Sequence, residues 1–142
     1  MERYAVFCSR FFTVYLHRFV NGDGDRDTHS HPWRWAFAII LTGGYLETRV
    51  RWFDSDGPVK RYRVRLPGSL NVIRPTTFHQ ILYSEPDTWT LFVHGPRVTA
   101  WGFLRVGAQV PALWIPAEDS EGGTRWQDVV PVGAAAGREP MK

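Results

Sequence analysis

The stretch AFAIILTGGYLETRVRWFDSDGPVKRYRVRL, residues 36–66, decides how this chain folds. Ala36 to Thr42 are all apolar or β-branched, and Gly43-Gly44 ends the run. A short apolar run bounded by glycines suits a buried strand better than a helix. From Tyr45 the period becomes two, with Leu46, Val50 and Trp52 on one side and Glu47, Arg49 and Arg51 on the other. Asp54-Ser55-Asp56-Gly57 has the composition of a tight turn, after which Arg61, Arg63 and Arg65 alternate with Tyr62, Val64 and Leu66. Successive side chains of a strand point to opposite faces. The segment therefore predicts a hairpin with an apolar face for the core and a charged, arginine-rich outer face.

The same grammar extends outward. Residues 12–20 (FTVYLHRFV), 69–74, 78–83, 89–94 and 98–104 read as further short strands. Pro67, Pro75, Pro86 and Pro96 fall between them, where a missing N–H donor costs nothing. No helix of more than two turns is visible. Many short strands with regular turns mean an all-β sandwich or barrel. The 142 residues are enough for one core and no more, and seven Trp and nine Phe suit a packed sheet interior or an aromatic pocket. The expected organisation is a barrel over residues 1–116 and a flexible or loosely docked tail over 117–142, polar and Gly-rich, in which a patch from Trp126 to Val132 could return to the barrel. Residues 21–27 (NGDGDRD) form a turn cluster. A calcium loop is a poor reading there, because the twelve-residue frame and terminal Glu of an EF-hand are absent.

A single cysteine, Cys8, excludes an intrachain disulfide and reads as an inert core residue. The N-terminal apolar run is too short for a secretory signal, and no stretch approaches a membrane span, so a cytoplasmic setting is expected. The net charge of +3 is spread over single arginines without a lysine-rich tail or recognition helix, so nucleic acid is not an expected partner. There is no Gly-rich phosphate loop, nucleophile elbow or paired-cysteine zinc site.

The chemistry concentrates in the histidines. His29 and His31 are spaced i, i+2, which on a strand projects both imidazoles to one face. Neutral imidazole is the commonest transition-metal ligand, but two make a usable site only with a third ligand from elsewhere. His79 follows a Pro-containing turn in another predicted strand.

HSHPWRWAFAIILTGG followed by IRPTTFHQI resembles the paired motifs of the cupin superfamily, whose fold is a jelly-roll barrel. The likeness spans about residues 22–83 and maps the family's metal ligands onto His29, His31 and His79, with Gly43 at the closing glycine. The phrases LHRF (16–19), HxHPW (29–33), GGYxE (43–47), GPR (95–97) and WGF (101–103) are similar to those of small bacterial and phage cupins. Where the family carries a metal-binding Glu this chain has Trp35 or Ala36, and Pro75 to His79 is one residue short. The resulting three-histidine set resembles that of thiol dioxygenases. The resemblance implies a divalent metal, Fe(II) first and Zn, Mn or Ni as alternatives, and a mononuclear non-haem dioxygenase or oxygenase acting on a small polar or anionic molecule. A metal-assisted sugar or keto-acid isomerase, epimerase or lyase is the second reading, and a non-catalytic ligand-binding module the third.

Around that set, His17 is a fourth ligand, a general base or a satisfied core histidine, and His94 caps a loop or binds substrate. Glu47 is an acid/base residue or an acceptor that orients a ligand imidazole, although its parity with Arg49 and Arg51 favours a solvated, ion-paired face. Arg18, Arg74 and Arg97 are candidate clamps for an anion. Trp33 and Trp35 could stack on a planar ligand, Tyr45 lies in the GGYxE phrase as a substrate contact, and Tyr83, of the same parity as His79, would offer a phenol near the ion. Exposed sheet edges would allow a homodimer.

Overall fold

The computed structural model describes residues 1–20, 27–53, 57–105 and 113–117. The expected turn at 54–56, most of the 21–27 cluster and the tail beyond Ala117, including Trp126 to Val132, lie outside the described residues. The strands are β1 (Glu2–Cys8), β2 (Thr13–Phe19), β3 (Thr28–His29), β4 (Ala36–Thr42), β5 (Tyr45–Phe53), β6 (Gly57–Arg65), β7 (Leu70–Ile73), β8 (His79–Ser84), β9 (Thr88–His94), β10 (Gly102–Arg105) and β11 (Leu113–Pro116). No helix occurs among the described residues, so none is long and apolar enough to cross a membrane.

The pairing follows one rule. β5 and β6 form a hairpin; outward from it β4 pairs with β7, β3 with β8 and β2 with β9, all antiparallel. The chain from β2 to β9 is thus a single long hairpin. Lateral pairing of β4 with β9 and β5 with β8 rolls it into two sheets, β2-β9-β4-β7 and β3-β8-β5-β6. This is the connectivity of an eight-stranded jelly roll, and the expected all-β barrel class holds. β1 extends the first sheet beside β2, while β10 and β11 extend the second beside β3. Gly43 makes the turn from β4 to β5 at φ +65°, and a Cβ there would lie 2.4 Å from Thr88 Oγ1, so glycine is required twice over.

Between the sheets lie two apolar clusters. Phe19, Ile40, Tyr45 and Ile81 fill one, with Met1 against it; Ala36, Ala38, Ile73 and Phe92 fill the other, flanked by Tyr15 and Trp33. The inner face of β4 is thus small where it meets Trp33, and space is left there for larger aromatic and imidazole rings.

Three expectations reverse. The charged side of the hairpin turns inward at Glu47, Arg49 and Arg65: Glu47 is wholly buried with the two arginines beside it, and Tyr62, Val64 and Leu66 are exposed, whereas Val50 is buried and Arg51, Arg61 and Arg63 are exposed as expected. A carboxylate can be buried when cationic donors share its cross-strand patch, so polarity alone does not choose the face. Tyr83 is 59% exposed and points away from the interior. Its parity is broken by a bulge, for Glu47 pairs with Ile81 but Leu46 with Tyr83, and the extra residue turns the following side chains over. Cys8, near the exposed end of β1, is also exposed and not a core residue.

Candidate metal centre

The rolled hairpin explains why residues fifty positions apart meet. His29 on β3 and His79 on β8 are direct cross-strand partners, because β3 and β8 are matching segments of the two arms. His31 lies past the end of β3 and is aimed by its neighbours. Ser30 N–H donates to the Gly102 carbonyl (2.9 Å), Gly102 N–H donates to Ser30 Oγ (3.1 Å), and Val98 and Arg34 N–H groups bond the Pro32 and Pro96 carbonyls (2.8 and 2.9 Å). The segment carrying His31 is therefore laced to the chain before β10. Its ring stacks on Trp33, with centroids 4.8 Å apart and planes at 15°.

One ring nitrogen from each of His29, His31 and His79 lies within 4.8 Å of the others. His31 Nε2 and His79 Nε2 are 2.8 Å apart. Two nitrogens sharing one ion at bonds of about 2.0–2.1 Å sit roughly 3 Å from each other, so this spacing fits ligands to a common cation. Burial and the neighbouring His29 and His79 push the pKa of His31 well below its ordinary value, which favours the neutral base that a metal requires.

Glu47 completes the centre from behind. His79 Nδ1 donates to Glu47 Oε1 at 2.8 Å, which selects the tautomer whose Nε2 lone pair faces the other two imidazoles. Arg65 donates twice to Glu47 Oε2 (3.1 and 3.0 Å), Asn71 Nδ2 donates to Oε1 (3.1 Å) and to the Tyr45 hydroxyl (2.8 Å), and Arg49 reaches both Glu47 and Asn71. Burial alone would raise the Glu47 carboxyl, but the hydrogen bond from His79, the charge of Arg49 and the hydrogen bond from Asn71 hold it at about 2. Of the two roles open to Glu47, the geometry is that of an orienting acceptor. The alternation assigns Arg49 and Arg65 to the charged outer face, which the structure corrects, and nothing in the sequence singles out Asn71.

Opposite stands an aromatic wall on β2, β9 and the loop after His31. Trp33 stacks on His94 (4.3 Å, 24°), and His94 Nδ1 donates to the Gly95 carbonyl at 2.9 Å. His17 is buried against Phe92 and Tyr15, at centroid distances of 5.0 and 5.8 Å, outside the ligand triad. Its Nε2 is buried without a hydrogen-bond partner. Burial, with the charge of Arg3, lowers its pKa to about 3, so it is too weak a base for the general-base role.

The depressed value has a sign that can be measured. An unfolded chain, with His17 near 6.5, binds more protons between pH 6.5 and 3 than the folded one. Stability from neutral His17 is complete above pH 6.5 and falls as the pH drops toward 3. His17→Phe is expected to remove about 2 kcal/mol of the stability lost between pH 7 and pH 5, read by urea unfolding at both values. An acid slope as steep in the variant as in the parent would show that His17 is not the source.

The remaining candidates lie elsewhere. Arg18 is on the outer face of β2, with Nε 2.6 Å from Asp87 and Nη1 3.3 Å from Glu2, and is no substrate clamp. Arg74 is exposed in the turn leading to β8, where its N–H bonds Thr77 Oγ1. Tyr45 is in the apolar cluster, its hydroxyl occupied by Asn71 and its pKa raised to about 12 by burial.

No family model matches this chain, and no curated protein matches it. Among solved structures it is similar to KdgF from Halomonas sp. (19% identity over 68% of this chain and 80% of that one, TM-score 0.46). It is also similar to a cupin superfamily protein from Desulfitobacterium hafniense DCB-2 (15%, 66% and 74%, TM-score 0.46) and an RmlC-like cupin protein from Desulfovibrio desulfuricans (19%, 68% and 85%, TM-score 0.46). At such identities a likeness concerns the path of the chain and not its chemistry. The strand pairing itself establishes the jelly roll, and the three histidines inside it make a group that fits a divalent cation.

Proposed function

We propose that this jelly roll is a metal-dependent cupin working as a mononuclear non-haem Fe(II) oxygenase, a dioxygenase, on a small anionic molecule. The observation that carries the reading is the ligand set: among the described residues three imidazoles converge without a carboxylate in the group, and Glu47 is held behind His79 by arginine instead of joining them. A ferrous ion bound there would supply oxygen chemistry. An all-imidazole set leaves its 2+ charge unneutralised, and Glu47 between Arg49 and Arg65 adds a further net positive charge, so an anion is favoured in the interior. Trp33 and His94 present a flat wall. A cleft of about 150 Å³ beside Trp33 and His94 is lined also by Arg10, Thr13 and Arg97 and by none of the three ligand histidines, and it offers guanidinium groups to an anion approaching from that side. The single cysteine, free and exposed, suits a reducing cytoplasm.

An isomerase or lyase needs a side chain that carries a proton. Of the three considered, Tyr83 faces outward, Glu47 has both oxygens engaged, and His17 is too weak a base. The test is oxygen uptake by Fe(II)-loaded protein with a panel of small carboxylates and thiol carboxylates. Uptake is expected with Fe(II), none with Zn(II), and none in His31→Ala. Anaerobic turnover that incorporates solvent deuterium would replace this reading with an isomerase, and unchanged ligand under every condition with a binding module.

A further inference from the structure

The cleft beside Trp33 is built from parts that the metal centre does not use. One wall is the turn between β1 and β2, residues 9–12. Ser9 fixes it: its N–H and its Oγ both donate to the Phe12 carbonyl (3.0 and 2.8 Å), and Oγ accepts from the Phe11 and Phe12 N–H groups (3.2 and 3.1 Å). Arg10 is held over the Phe11 ring, 4.5 Å from its centroid. The other wall is His94 to Arg97. It is tied to the loop after His31 by Gly95 N–H on the Trp35 carbonyl and Arg34 N–H on the Pro96 carbonyl, each at 2.9 Å. Glycine permits that closeness, since a Cβ at residue 95 would lie 2.6 Å from the Trp35 indole.

Two properties select an occupant. Arg10 and Arg97 are both exposed, and among the described residues neither forms an ion pair. Arg18, Arg49, Arg65 and Arg105, by contrast, each meet a carboxylate. The stretches that build the cleft supply none, because residues 3–22, 28–46 and 88–117 contain no Asp or Glu. The rings of Phe11, Phe12, Trp33 and His94 line the same space, and Phe11 is 63% exposed. Aromatic side chains take a further ring in stacked or edge-to-face contact. An apolar cavity of about 150 Å³ admits one benzene, and the cleft has this volume.

We propose that the cleft is a second ligand site, which binds a single-ring aromatic carboxylate with its ring among the four aromatic side chains and its carboxylate on Arg10 and Arg97. A guanidinium group donates paired N–H bonds to a carboxylate. The site stands apart from the oxygenase reading: none of the three ligand histidines lines it, and its occupancy needs no ion. Trp33 touches both places, stacked on His94 at 4.3 Å and on His31 at 4.8 Å.

Benzoate titrated into the metal-free full chain is expected to shift the Trp33 indole N–H and the Phe12 and Gly95 amide resonances saturably, with Kd on the order of 1 mM. Arg10→Gln with Arg97→Gln, both at exposed positions, should weaken binding at least about 10-fold by removing hydrogen bonds to a charge. Arg63→Gln, which removes an exposed guanidinium from the second sheet, and His79→Ala, which removes an ion ligand, should both bind benzoate as the parent does. Benzyl alcohol lacks the charge and should bind about 10-fold more weakly; cyclohexanecarboxylate lacks the planar ring and should bind about 3-fold more weakly. Benzoate binding by a chain that consumes no oxygen would keep this site while removing the oxygenase. Binding only after Fe(II) is added, parental affinity in the double variant, or equal affinity for either analogue or for inorganic phosphate would each overturn the inference.

Discussion

Replacing His79 with alanine is expected to abolish stoichiometric binding of a divalent cation, with affinity falling by at least about 100-fold, since loss of a ligand exceeds the 10–100-fold cost of losing a group behind one. His79 has this weight because it is both the cross-strand partner of His29 and the hydrogen-bond donor to Glu47. Two imidazoles then remain, and the carboxylate that selected the third tautomer is left facing two guanidinium groups. Anaerobic calorimetry with Fe(II) reads the loss directly. Thermal unfolding reads it a second way: cation at a hundred times its dissociation constant stabilises a folded site by about 2.7 kcal/mol, and the variant should gain none of this. His94→Ala, which removes the far side of the Trp33 stack but no ligand, should bind normally. Native affinity and stoichiometry in His79→Ala would mean that the three imidazoles do not share an ion.

The other large effect is on stability. Glu47→Ala should cost about 3–5 kcal/mol, because removing one member of a buried ion pair leaves its partners charged and uncompensated. Glu47 has no exposed side-chain surface, and Arg49 and Arg65 are only 16 and 12% exposed. Urea unfolding measures the cost. Glu47→Gln keeps the shape and an acceptor for His79 but removes the charge, so it should cost less in stability while weakening metal binding about 10–100-fold. A loss below about 1 kcal/mol in Glu47→Ala would be the value of a solvated surface pair, and would place water where the structure places protein.

The ligand triad and the centre around it were not equally readable. His29 and His31 announce themselves by their spacing, and His79 by the resemblance of IRPTTFHQI to the second cupin motif. The strand Ala36–Thr42 and the alternation after Tyr45 also emerge from residue order. The inward side of that hairpin does not. Leu46 looks like core and Glu47 like surface, yet Glu47 is the more buried of the two, because the barrel interior is polar there. The difference lies in partners. Arg65 reaches Glu47 across the β5–β6 hairpin, but Asn71 lies on β7 in the other sheet and meets Glu47 only after the chain is rolled. Tyr83 fails for a smaller reason, one bulged residue that reverses the faces of its neighbours along the strand.

Residue order by itself determined the all-β class, most of the strands and turns, and the pairing of His29 with His31, because period-two patterning, glycine stops and i, i+2 spacing are properties of neighbouring positions; His79 entered through the resemblance of its surroundings to the second cupin motif. Tertiary structure alone decided which side of each strand is the inside and which carboxylate stands behind His79. Those depend on what is brought opposite each side chain, and burial of a charge or exposure of a leucine is set by the partner it meets, not by its own chemistry.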